Sequence, residues 1–213
     1  MISLYYSTGI QKKFTMDELV LTTVGSGSWI VPYSGNYKIE VVGGGGKGGN
    51  GGGRTSSTVQ TGSRRVYDEA TVAAICSQFS GKTVEYIACV NNYRSITEPV
   101  YTTYYYDGKG GSAGGAGAYA SNTIYLTKGT VITYTVGGPS STSSFGSYVS
   151  AAAGAAGGNA NMSNRTGGTG TSSTNGRGYG RGGDGGTGAD SSGNGRTNGQ
   201  NGTSGVIFVN YAP

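Results

Sequence analysis

Short runs of alternating apolar and polar residues punctuate this chain, and the stretches between them carry almost no apolar side chains. Tyr37, Ile39 and Val41 alternate with Lys38 and Glu40, the period of a strand with one buried face. Residues 29–42 (WIVPYSGNYKIEVV) therefore read as strand, turn, strand, with Tyr33-Ser-Gly-Asn36 as the turn. Residues 123–127 and 130–136 read as two more strands. Lys128-Gly129 between them signals a tight hairpin. Both of its faces carry apolar residues, so it is expected as an inner strand pair of a sandwich. The closing run from Gly205 to Tyr211 (GVIFVNY) is strongly apolar and is predicted at the centre of a sheet. Ahead of these strands, Thr15-Met-Asp-Glu18 fits a capping box, which predicts a short helical turn near Asp17–Leu21.

Residues 54–107 follow a different pattern. Asp68 is placed to cap a helix running to about Phe79, with Val72, Ile75, Cys76 and Phe79 on one face and Gly81 as its stop. Val84, Tyr86, Ala88 and Val90 alternate as a strand, and Val100 to Tyr106 (VYTTYYY) reads as another. The segment is predicted to be a small α+β insertion.

Glycine dominates what remains. The chain holds 44 glycines in 213 residues, blocked at Gly43 to Gly53, Gly108 to Gly117 and, with interruptions, Gly154 to Gly205. Ordering one residue costs about 1–2 kcal/mol, glycine more than others, and a glycine has no side chain whose burial offsets it. Either these tracts are disordered, or backbone hydrogen bonds between them, at about 1 kcal/mol each, hold them. An extended left-handed helix with three residues per turn makes no internal hydrogen bonds and turns its amides outward. Helices of that kind can bond to one another where only glycine fits the contact. The three-residue period is present: Gly43, Gly46, Gly49 and Gly52; Gly108, Gly111, Gly114 and Gly117; Gly199, Gly202 and Gly205. Gly176, Gly182, Gly185 and Gly188 share one phase, interrupted by Tyr179. The broken period and 4 prolines exclude collagen.

Composition narrows the chemistry. Histidine is absent, which removes His-based triads and most metal sites. Two cysteines, Cys76 and Cys89, make neither a disulfide scaffold nor a zinc site; buried thiols or a single bridge are the readings left. The net charge is +5, with no run of five like charges, so the basic balance says little about nucleic acid. No apolar span reaches the length of a transmembrane helix. The N-terminus lacks the charged and apolar regions of a signal peptide, so synthesis in a cytoplasm without classical export is expected. Gly43-Gly-Gly-Gly-Lys-Gly48 lacks the Ser/Thr that follows the lysine of a phosphate loop, and Gly81-Lys82-Thr83 has Cys76 where the first glycine belongs. Asp68-Glu69 reads as a helix start rather than a catalytic pair. Arg177-Gly-Tyr-Gly-Arg-Gly-Gly183 resembles an RGG-type RNA-binding segment. Asp184 and Asp190 dilute its charge, and solvent-facing positions in a glycine lattice are the favoured reading. Tyrosine supplies large contact area at low entropic cost, so Tyr93, Tyr101, Tyr104, Tyr105 and Tyr106 are the candidate receptor-binding residues. Tyrosine also suits strands, and sheet packing is the competing role.

Four pieces in order resemble the glycine-rich domain of bacteriophage tail-fibre and tail-tip adhesins. They are residues 29–46 (WIVP…GNYKIEVVGGGG), residues 114–138 (GGAGAYAS…TKGTVITYTVGG), Ser144-Phe-Gly-Ser147 with its Ala/Gly sequel, and residues 205–211. The resemblance covers about residues 29–53 and 108–211. It implies a mainly β fold: a β-sandwich-like framework carrying a polyglycine II-like bundle that displays variable loops to host outer-membrane proteins. It supplies no catalytic residue, cofactor or metal ligand. Residues 54–107 exceed the basic pattern, and residues 1–28 match nothing in it.

The expectation is a non-enzymatic virion protein, a tail-fibre, tail-tip or head-fibre component, located in the virion. Its partners would be a host cell-surface receptor (protein or glycan), other virion proteins through an N-terminal attachment segment at residues 1–28, and a possible second copy of itself. No nucleic acid and no membrane insertion are expected. A purely structural decoration protein is the alternative. A glycine-rich nucleic-acid binder stands behind it, and an ice-binding lattice lacks the evident flat Thr or Ala faces it would need.

Overall fold

The computed structural model describes residues 17–65, 69–79, 81–82, 87–90 and 97–212. The chain divides into two compact units: Met1–Thr55 with Asp107–Pro213, and Ser56–Tyr106.

The first unit is a β-sandwich continued by a glycine bundle. Its strands are β1 (Leu19–Leu21), β2 (Gly25–Ile30), β3 (Gly35–Val42), β6 (Tyr119–Leu126), β7 (Val131–Val136), β8 (Ser143–Phe145), β9 (Val149–Ala151) and β10 (Val206–Ala212). One antiparallel sheet has the order β1-β10-β3-β6 and the other β2-β7-β8-β9. The alternation of Tyr37, Ile39 and Val41 is a buried face: all three are fully buried, with Ile207 and Val209 of β10, against Val31, Ile132, Val136 and Phe145. Trp29 packs edge-on to Tyr37 at 5.5 Å between ring centroids. β10 lies between β1 and β3, so the apolar C-terminal run is central as its composition requires.

Three expectations are corrected within this unit. Leu19–Leu21 is a strand and not a helical turn, because Leu19, Val20 and Leu21 pair with Val209, Phe208 and Ile207; tertiary pairing outweighs a capping box whose first two residues lie outside the described range. The segments on either side of Lys128-Gly129 do not form a hairpin. β6 pairs with β3 and β7 with β2 and β8, so the turn crosses from one sheet to the other. Leu126 and Ile132 thereby enter the shared core from opposite sides. Gly129, at φ +84°, makes the crossing and donates to Val31 O. Lastly, the framework begins before Trp29, since β1 and β2 occupy residues 19–30.

The glycine tracts are ordered by hydrogen bonds between them. Six extended tracts run over residues 43–53, 108–118, 152–162, 165–171, 181–190 and 196–205, alternating in direction along the chain. Gly43, Gly46, Gly49 and Gly52 donate to the carbonyls of Ala118, Gly115, Ser112 and Lys109. Gly45, Gly48 and Gly51 donate instead to Thr203, Gln200 and Thr197. Every third amide of one tract thus meets the same neighbour, the signature of a three-residue turn without internal bonds. Gly108, Gly111, Gly114 and Gly117 repeat the pattern toward Ala189, Gly186, Gly183 and Gly180. Packing is close enough that a Cβ on Gly46 would overlap Ala155 O and one on Gly185 would overlap Gly111 O. Gly176 is an exception to the shared phase, lying in a turn and donating to Ser173 O.

Four tracts continue strands directly: 43–53 follows β3, 152–162 follows β9, 108–118 leads into β6 and 196–205 into β10. The ladder crosses the junction without a break, Val42 pairing with Tyr119 and then Gly43 donating to Ala118 O. The sandwich therefore sets the register of the bundle. Gly53 and Gly108, where the chain leaves and re-enters the bundle, lie at the end remote from the sandwich.

The second unit contains β4 (Thr55–Arg65), α1 (Glu69–Cys76) with a 3-10 turn at Ser77–Phe79, and β5 (Thr97–Tyr106). β4 and β5 form a two-stranded ribbon. β4 carries no apolar alternation, so its pairing with β5 was invisible in the sequence. Val72 and Cys76 are buried, while Ile75 on the same predicted face is 38% exposed. Gly81, at φ +87°, sits beyond the 3-10 turn. Ala88 and Val90, expected in a strand, lie in a helical turn at 87–90; Val84 and Tyr86 fall outside the described residues. That turn carries Cys89 onto Cys76, and the two form a disulfide with Cα atoms 5.9 Å apart.

Candidate functional site

Tyr101, Tyr104, Tyr105 and Tyr106 all lie on β5, and each is between 47% and 61% exposed. Strand alternation puts Tyr101 and Tyr105 on one side of the ribbon and Tyr104 and Tyr106 on the other. Tyr93 falls outside the described residues. Threonines join the two strands on both sides: Thr58 and Thr103 hydroxyls are 2.8 Å apart, Thr61 and Thr102 hydroxyls 2.9 Å. Arg64 and Glu98 form an exposed ion pair at 3.5 Å. Val59 and Val100 add exposed apolar area. The ribbon is a surface of phenol rings, hydroxyls and short aliphatic groups, a composition suited to protein loops or to sugar rings and poor in proton-transfer chemistry. Thr58, Thr61 and Val59 were missed in the sequence, where only their density of β-branched residues hinted at a strand.

At the bundle end remote from the sandwich, the turn at 190–194 is held by Asn194 N–H donating to Asp190 Oδ1 at 2.8 Å and by Gly193 N–H donating to Asp190 O. Arg165 donates from Nε to Gly188 O at 2.8 Å, and Arg196 from Nε to Gly51 O at 2.8 Å. These arginines satisfy carbonyls where the tracts end, which keeps this surface ordered.

The Arg-Gly-Tyr-Gly-Arg segment keeps Arg177 exposed, as a solvent-facing position, but its guanidinium is engaged by the sandwich. Arg177 Nη1 donates to both oxygens of Glu18, at 2.8 and 2.9 Å, and Nη2 to Glu40 Oε2 at 3.3 Å. Its guanidinium lies 4.1 Å from the centroid of Phe208. Tyr179 packs against the same ring, and Arg181 pairs with Asp184 at 2.7 Å. Arg177 sits at φ +49°, a left-handed conformation that costs an L-residue about 1–2 kcal/mol; the contacts to two carboxylates and a ring hold it there. The segment closes the outer face of β3 and β10, over Val42, Val206 and Phe208.

This cluster holds the only marked carboxylate perturbations on the sandwich among the described residues. The Asn210 amide and Arg177 hold Glu18 below the usual carboxylate range against a smaller opposing effect of burial. Burial pushes Glu40 up, but hydrogen bonds from Tyr119 and Lys38, with the charges of Lys38 and Arg177, outweigh it and lower the net value. One guanidinium bridges Glu18 and Glu40, and Lys38 supplies the second positive charge at Glu40, which makes the cluster a structural tie. Among the described residues, no group of three or more His, Cys, Asp or Glu side chains is placed to hold a metal ion, and no helix is long and apolar enough to cross a membrane.

Comparisons of this chain with protein-family models, with curated proteins and with solved structures gave no match.

Proposed function

We propose that this chain is a non-enzymatic adhesin of a virion, a tail-fibre, tail-tip or head-fibre component that recognises a host surface. The observation that carries the reading is the six-tract glycine bundle. It grows from strands β3, β6, β9 and β10, and the second unit, by itself, carries a ribbon that exposes four tyrosines. Backbone-to-backbone bonding stiffens a stalk that offers few side chains of its own. The exposed aromatic side chains suited to recognition are concentrated on β5 of the second unit. The ordered resemblance of residues 29–53 and 108–211 to phage tail-adhesin glycine-rich domains supports the same reading.

The receptor in this reading is a protein or glycan of the host surface, met by Tyr101, Tyr104, Tyr105 and Tyr106. The test is adsorption. Purified protein binds host cells and blocks adsorption of the virus, and a Tyr104→Ser/Tyr106→Ser double variant with unchanged circular dichroism loses most of that binding. Absence of binding at micromolar concentration would replace the adhesin with a purely structural virion protein.

A further inference from the structure

We infer that a groove on the flank of the bundle, lined by Lys47, Gly48, Asn50, Ala156, Gly157 and Asn159, is a binding site for a single sugar residue bearing a carboxylate or phosphate. The inference rests on the adhesin reading for its biological meaning and on the groove alone for its chemistry.

The groove arises from the lattice. Two of the three amide phases of tract 43–53 are answered by the backbone of tracts 108–118 and 196–205. The third phase comprises Gly44, Lys47 and Asn50, and no backbone carbonyl of a tract accepts from it. Gly44 N–H donates to Ser141 O at 2.9 Å, Lys47 N–H to Ser140 Oγ at 3.3 Å, and Asn50 N–H to Asn159 Oδ1 at 2.7 Å. A cleft of about 270 Å³ opens along this flank. It is below the ~300–1,000 Å³ typical of pockets that enclose drug-sized ligands, which fits one ring and not an oligosaccharide.

Its side-chain lining carries one positive charge and no negative one. Asn159 Oδ1 is occupied by the Asn50 amide, and Asn50 Oδ1 accepts from Gly199 N–H at 3.0 Å. Each side-chain amide is thereby fixed with its carbonyl end used and its NH₂ end left over. Lys47 is exposed, and among the described residues its ammonium has no hydrogen bond or ion pair. No carboxylate lines the groove. A site offering an ammonium and two amide NH₂ groups presents donors and positive charge, so it selects an acceptor-rich anion. Gly48, Gly157 and Ala156 put little side chain on the floor, which lets a sugar ring approach the backbone. Nucleic acid fits less well, since the groove holds one cation and no aromatic ring for a base to stack on.

The experiment uses the full chain labelled with ¹⁵N and titrated with methyl glucuronide, glucose 1-phosphate, methyl glucoside and acetate. At millimolar concentrations the two anionic sugars are expected to shift the Gly48 and Gly157 amides and the Asn50 and Asn159 side-chain NH₂ signals, in a saturable way. Lys47→Met keeps the chain length and is expected to weaken this binding about tenfold, the effect of losing about 1.4 kcal/mol. Carboxylate and phosphate sugars differing in affinity would identify which source the groove prefers, and either preference supports the site. Equal shifts with neutral methyl glucoside, equal shifts with acetate, or no saturable shift in the groove would overturn it. An unchanged affinity in folded Lys47→Met would do the same. Because the readout needs no cell, saturable sugar binding together with absent cell binding would sink the adhesin reading and leave the groove standing.

Discussion

Gly46→Ala probes the bundle where its logic is most exposed. Gly46 donates to Gly115 O at 2.8 Å and accepts from Gly183 N–H at 2.8 Å. A methyl group there would overlap Ala155 O, which already accepts from Gly115 N–H. The obstruction is backbone, so no rotamer change relieves it. Tract 152–162 must move away, stretching the bonds Gly115 to Ala155, Gly154 to Gly44 and Gly157 to Lys47. At about 1 kcal/mol each, three weakened bonds cost about 3 kcal/mol. Alanine recovers about 0.4–1 kcal/mol through the lower entropy of its unfolded chain. The net expectation is a loss of about 2–3 kcal/mol. Gly53→Ala is the control, since nothing lies within 4 Å of its added Cβ; it is expected to be neutral or slightly stabilising. Amide hydrogen exchange is the appropriate assay, because Trp29 reports on the sandwich and not on the bundle. Bundle amides in Gly46→Ala should exchange about 30- to 150-fold faster, the factor equivalent to about 2–3 kcal/mol. If Gly46→Ala and Gly53→Ala exchange alike, the tracts are not packed backbone to backbone and the reasoning fails.

Three further outcomes are expected. Reducing the Cys76–Cys89 disulfide, which closes a loop of sequence separation 13, removes about 3 kcal/mol on the chain-entropy account; proteolysis within 56–106 should accelerate in dithiothreitol, and an unchanged cleavage rate would contradict this. Glu18, Glu40 and Asp184 all have lowered carboxyl values in the folded state, the last chiefly through the Gly170 N–H. The unfolded chain therefore binds more protons on acidification, so their stabilisation is complete above about pH 5 and is lost as pH falls through the lowered folded values. Urea midpoints should fall from pH 6 toward pH 3, less steeply in Arg177→Met, and a flat profile would refute the tie. Finally, Tyr101→Ser alone should reduce cell binding less than the Tyr104→Ser/Tyr106→Ser pair if the two sides of the ribbon contribute separately, as measured by flow cytometry with labelled protein. Equal losses would argue against two independent sides.

Much of the framework was determined by sequence alone. Period-two alternation at Tyr37, Ile39 and Val41, and the apolar run of β10, mark buried strands because one face of a strand must find a core. The three-residue spacing of Gly43 to Gly52 and Gly108 to Gly117 marks the bundle because only a residue without Cβ fits where backbones touch. Tracts 152–162 and 165–171 were less legible, since alanine, serine and threonine occupy their outward positions and mask the period. Tertiary structure alone decided which sheet each strand joins. Lys128-Gly129 has the local chemistry of a hairpin, yet β6 and β7 separate because Leu126 and Ile132 must reach one core from two sides. Leu19–Leu21 became a strand because β10 offered an open edge. The helical turn at 87–90, the Cys76–Cys89 disulfide and the Arg177 tie are long-range in the same sense. The groove at Lys47 follows likewise: the residues that answer the third amide phase, Ser140, Ser141 and Asn159, stand some ninety or more positions away. Local spacing specifies what kind of contact a segment can make; which segment meets it is set by packing the whole chain at once.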